Sequence, residues 1–178
     1  GITIHRATPW LTKIHAYEHA HVHLRFFRVA AEDWSGALQA KEGQEWSWQK
    51  AGDFTVSPML PANGALLKAL AVPTELAGRL NTGLRGENSM GEYRVVPFDM
   101  AEPQHAHVLI EERELRRIGK LPAAKSVWVV MDEAAQWPRV QDADAVVWRV
   151  ENLAAAQALA AVLAQGVSMP LVVYAAPD

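Results

Sequence analysis

Three histidines spaced two apart (His19, His21 and His23), a Glu42 beside Lys41, and an Asn63 closing a proline-rich turn are the residues whose types and spacing invite chemistry. Imidazole is a common zinc ligand, and a period of two places alternate side chains on one strand face. Neighbours on such a face lie ~7 Å apart, too far for three of them to share one ion without distortion. Strand histidines facing solvent are therefore the simpler reading, with a zinc-binding strand protein as an alternative. His105 and His107 repeat the spacing, with the same consequence. Glu42 offers oxygens of the kind Mg2+ takes, but one carboxylate does not hold that ion, and a solvated loop glutamate looks the same. The Asn63 carboxamide presents one acceptor oxygen and one donor nitrogen, or else caps a helix. Glu111, Glu112, Arg113, Glu114, Arg116 and Arg117 read as a charged helix face with pairs three and four apart. Asp132 and Asp144 fall at strand ends, where barrel chemistry sits and where solubilising acids are also routine. No nucleophile–base pair stands out.

These residues need elements to position them. Residues 20–26 alternate, with Val22, Leu24 and Phe26 on one face and His21, His23 and Arg25 on the other, which predicts a half-buried strand. Trp34-Ser35-Gly36 reads as a turn, and residues 45–49 alternate again as a returning strand. Pro61-Ala62-Asn63 predicts the start of a short helix through Leu70, stopped by Pro73. Pro73, Gly78, Asn81, Gly83, Gly86, Asn88 and Gly91 punctuate residues 73–92 without periodicity, so this stretch reads as a linker between segments 1–72 and 93–178. In the second segment, residues 93–98, 107–110, 126–130, 145–150 and 171–174 predict short strands, the last three apolar enough to be covered on both faces. Asn152 caps a predicted helix over residues 153–165, with Leu159, Val162 and Leu163 as its stripe and Gly166 as its stop. Strands alternating with helices predict a parallel α/β arrangement.

The 178 residues leave room for one domain or two small ones, half of the residues being apolar. A net charge of −3 lacks the basic surplus of a protein that grips polynucleotide phosphates. The absence of cysteine excludes disulfides, thiolate catalysis and Cys-type zinc sites, and fits a reducing compartment. The longest apolar runs have the length of strands rather than of membrane spans, and no signal sequence opens the chain, so the expected location is cytoplasmic.

Glu42-Gly43-Gln44 is followed by Trp46 and Trp48, then by Ser57-Pro58-Met59-Leu60-Pro61-Ala62-Asn63, and is preceded by an apolar run ending in Phe26-Phe27-Arg28-Val29. Together these resemble the distal half of a MutT-type Nudix hydrolase. That family hydrolyses nucleoside triphosphates, typically 8-oxo-dGTP and other oxidised guanine nucleotides, to the monophosphate and pyrophosphate. The Nudix box that carries the catalytic glutamates is matched only by Gly1-Ile2 at its last two positions. The resemblance thus implies a domain entered after its catalytic helix, inactive alone, with no catalytic residue of its own. It implies that Glu42 is a ligand of Mg2+ (or Mn2+) in the complete enzyme, that Asn63 reads the base edge, and that Tyr17 stacks on the base. The second segment resembles a shortened thiamine-phosphate-synthase-like domain. The expected fold is accordingly a partial α+β Nudix-like mixed sheet followed by a small α/β segment resembling part of a barrel. The expected partners are a nucleoside triphosphate or monophosphate, with homo-oligomers allowed and neither polynucleotide nor membrane. A non-catalytic nucleotide-binding or protein-interaction module is the alternative.

Overall fold

A computed structural model describes residues 1–43, 45–60 and 63–175. The chain is a mixed α/β fold built on a curled, seven-stranded mixed sheet that forms half a barrel. Its first 72 residues supply two small two-stranded sheets and a helix. Strand β1 (Ile2–Ile4) pairs antiparallel with β4 (Trp34–Gly36), and β2 (Thr8–Tyr17) forms a hairpin with β3 (Ala20–Arg28). The hairpin follows from the alternation in residues 20–26: Val22, Leu24 and Phe26 are half-buried, while His21, His23 and Arg25 are exposed. Helix α1 (Gly64–Ala71) comes next.

The seven-stranded sheet contains β5 (Ala77–Arg79), β6 (Gly83–Asn88), β7 (Gly91–Pro97), β8 (His107–Glu111), β9 (Ser126–Met131), β10 (Ala145–Arg149) and β11 (Leu171–Tyr174), side by side in chain order. β5, β6 and β7 are antiparallel neighbours, whereas β7 through β11 run parallel. Parallel neighbours need crossover connections, which are right-handed and so fall on one side of the sheet. Helix α2 (Glu112–Ile118) joins β8 to β9, and α3 (Leu153–Gln165) joins β10 to β11.

This arrangement makes two apolar layers. On the helix-covered face, Ile110, Val127, Val129, Met131, Val146 and Trp148 meet Leu115 and Ile118 of α2 and Leu159 and Val162 of α3. Leu11 of β2 and Ala69 of α1 are buried in the same cluster, so the first segment packs on the second. On the concave face, Tyr93, Val95, Leu109, Trp128, Val130 and Val147 form the other layer. All six residues of β9 are buried, as its unbroken apolar run requires of a strand covered on both sides. Helix α3 has the expected bounds, and Asn152 Oδ1 accepts the Ala155 backbone N–H at 2.9 Å.

The structure corrects several expectations. Residues 73–92 are not a loose linker: they contain β5 and β6, which extend the sheet. The glycines there permit close approach rather than flexibility. A Cβ on Gly86 would lie 2.6 Å from the Glu75 carbonyl oxygen, and one on Gly78 would collide with that of Gly83. Trp34-Ser35-Gly36 is a strand instead of a turn. Residues 45–49, expected as a returning strand, form none; Trp46 and Trp48 are exposed, and the Trp48 ring packs against that of Trp34 in β4, centroids 6.2 Å apart. The mixed sheet expected of the first segment is instead built from residues 77–174. Leu163, assigned to the buried stripe of α3, is 49% exposed. The charged face over residues 111–117 also hides a core residue, because Glu112 is 1% exposed.

Candidate functional site

The sequence-predicted residues occupy separate places. Asn63 stands at the N-cap of α1, in helical backbone conformation (φ −82°, ψ −15°), yet its side chain makes no capping hydrogen bond. Its Nδ2 instead donates to the Met59 sulfur at 3.2 Å. Thioether sulfur is a weak acceptor, so the carboxamide is exchangeable. Pro61 and Ala62, the two residues before it, lie outside the described residues, as does Gln44. Tyr17 ends β2 and packs edge-on against His15, with ring centroids 4.4 Å apart, and stacks at 6.1 Å on His19. Glu42 is exposed in the bend at residues 41–43. No ring contact or side-chain hydrogen bond joins Tyr17 to Asn63 among the described residues.

The metal expectations meet the same test. Among the described residues, no group of three or more His, Cys, Asp or Glu side chains is arranged to hold a metal ion. His19 falls in the turn of the hairpin rather than on β3, which breaks the series with His21 and His23. Mg2+ demands near-octahedral oxygen coordination, and Glu42 brings one carboxylate to it. The described residues do not complete such a site.

A different constellation, absent from the sequence reading, lies at the carboxyl ends of the parallel strands. There a cleft of about 590 Å3 is walled by Arg79, Phe98, Glu111, Glu114, Arg149 and Tyr174 over a floor of Leu109 and Val130. Carboxyl ends are where α/β sheets and barrels place ligand sites, because loops leaving consecutive strands converge there. Arg149 closes β10 with its guanidinium turned to the concave side. Its Nη2 donates to Glu111 Oε1 at 2.8 Å, and its Nη1 lies 3.5 Å from Asp132 Oδ2. The planar fork of arginine suits this double role, which a lysine ammonium would fill poorly. Only the alternation of β10, which sends Ala145, Val147 and Arg149 to one face, would have marked Arg149 from sequence.

At the opposite end of the same face, Tyr93 and His107 stack with centroids 4.1 Å apart, and the Tyr93 hydroxyl lies 3.2 Å from His107 Nδ1. Burial pushes the Tyr93 phenol up to about 12, although contacts with Ser126 and Trp128 oppose the rise. Burial, with Lys125 nearby, lowers the His107 pKa against the pull of Asp144. On the helix-covered side, Glu112 receives hydrogen bonds from the Arg139 and Gln136 side chains. Burial would raise its pKa, but Arg139, Arg116 and Gln136 together hold the carboxyl below its ordinary value.

Asp144 touches both segments. Its Oδ2 accepts the Val127 backbone N–H at 2.9 Å, and its Oδ1 accepts from Lys68 Nζ of α1 at 3.2 Å. No helix among the described residues is long and apolar enough to cross a membrane. No protein-family model, curated protein or solved structure matches this chain.

Proposed function

We propose that this chain carries the base-reading part of a cytoplasmic nucleotide pyrophosphohydrolase of the MutT-type Nudix class, acting on oxidised guanine nucleotides. The observation that carries the reading is the Asn63 carboxamide: it sits at a helix start without capping the helix, and among the described residues its amide donates to a thioether. Oxidation of guanine at C8 places a hydrogen on N7, beside the O6 acceptor. An asparagine amide matches that pair, its oxygen accepting from N7–H and its nitrogen donating to O6. Unmodified guanine presents two acceptors there, so the amide oxygen would oppose a lone pair. An unpaired polar group in a binding site is a strong discriminator. Tyr17 would supply a stacking face, and Glu42 one carboxylate of a Mg2+ site whose other ligands are not among the described residues. On this reading the chain binds the nucleotide base through Asn63 and Tyr17.

Calorimetric titration with 8-oxo-dGMP tests the reading. Binding that is lost in Asn63→Ala supports it. Absence of binding by the unsubstituted chain rejects it and leaves the protein-interaction module in its place. Release of pyrophosphate from 8-oxo-dGTP and Mg2+ at an enzymatic rate would show that catalysis needs no further glutamates.

A further inference from the structure

Helix α1 has eight residues, too few to be stable on propensity alone, so its direction is fixed by what it packs against. Three of its anchors come from beyond residue 72. Ala69 is 4% exposed within the cluster formed by the helix-covered face of the half-barrel. Lys68 is paired with Asp144, which is itself held by the Val127 N–H at the start of β9. At the other end, Asn88 of β6 donates from Nδ2 to the Ala71 carbonyl oxygen at 2.8 Å, satisfying one of the last carbonyls of the helix. The amino-terminal end carries Asn63, which is half-buried and bonded to Met59.

We propose that the half-barrel is the mount of the base-reading helix: Asp144 and Asn88 are positioning residues that hold α1 over the buried Ala69, and thereby aim the Asn63 carboxamide. The second segment then acts on nucleotide recognition without touching the nucleotide. Resting on the reading of Asn63 given above, the inference assigns a role to residues that have no place in the pocket itself. The Lys68–Asp144 pair is half-exposed, so its loss alone loosens the helix modestly; the Asn88 bond and the seat of Ala69 carry more.

Two variants of the chain test the mount: Asp144→Asn with Asn88→Ala, and Asn63→Ala. Two readouts are taken on each, amide hydrogen exchange across residues 64–71 and the ratio of 8-oxo-dGMP to dGMP affinity. The first variant is expected to exchange faster in α1 and to lose about threefold or more of the affinity ratio, with the half-barrel amides still protected. General destabilisation would weaken the two nucleotides equally and leave the ratio unchanged, so an unchanged ratio overturns the inference, as does unchanged exchange in α1. If the unsubstituted chain binds neither nucleotide, the reading of Asn63 fails while the exchange data still decide whether the half-barrel holds the helix.

Discussion

Arg149 Nη2 lies 2.8 Å from Glu111 Oε1 and so ties together the carboxyl ends of β10 and β8, two strands that are separated in the sheet by β9. The same guanidinium reaches Asp132, just beyond the end of β9. One side chain thereby fastens three consecutive strand ends at the lip of the cleft.

Removal of this guanidinium leaves two carboxylates facing each other at a partly buried site. Arg149→Ala is expected to cost ~2 kcal/mol, the scale of a hydrogen bond to a charged group. Arg149→Lys should recover less than half of that, since an ammonium does not span both acids in one plane. Urea unfolding measures both values, and a lysine variant as stable as the parent would show that the fork geometry is immaterial.

Glu112 gives an acid-side prediction. Its folded-state pKa is depressed below 4.5, so its contribution is present above that value and is lost as pH falls through the lower folded-state one. Glu112→Gln keeps the shape but not the charge, and should cost ~2 kcal/mol at neutral pH while flattening the fall in stability below pH 4.5. Denaturation midpoints collected from pH 3 to pH 7, ~1 unit apart, decide it; identical pH profiles for the two proteins would refute the assignment.

The half-buried His107 acts in the opposite pH range. Its lowered pKa means that the folded state prefers the neutral ring, so stability is complete above 6.5 and declines as pH falls and the unfolded chain takes up the proton. His107→Phe, which keeps a ring to stack on Tyr93, should remove that decline between pH 6.5 and the onset of the carboxylate range. Tyr93 itself should resist ionisation until about 12 in an ultraviolet titration of the folded protein.

Gly86→Ala tests the correction to residues 73–92. The new methyl would lie 2.6 Å from the Glu75 carbonyl oxygen, with Leu76 and Pro73 side-chain atoms also at 2.9 Å. Overpacking of this kind costs ~1–3 kcal/mol. A flexible linker would tolerate the alanine or gain from it, so a neutral or stabilising result would argue against the strand pairing.

The sequence by itself determined the elements whose signals are local. The period-two alternation of residues 20–26, the apolar runs of β9 and β10, and the Asn152 cap with its Gly166 stop around α3 all depend on residues within a few positions of one another. Tertiary structure alone decided what depends on distant partners. The glycines of residues 73–92 carry the same local signal whether they make a loop or let two strands close, and the close approaches of Gly78 to Gly83 and of Gly86 to Glu75 distinguish the cases. Glu112 reads as one more charge on a helix until Arg139, remote in the chain, joins it at the protein's interior. Asn63 reads as a helix cap, and its helical backbone angles are what keep its side chain from capping. The alternation of β10 gives the face of Arg149 but not its partners, because Glu111, Asp132 and Arg149 meet only when two crossovers bring the ends of three parallel strands to one edge.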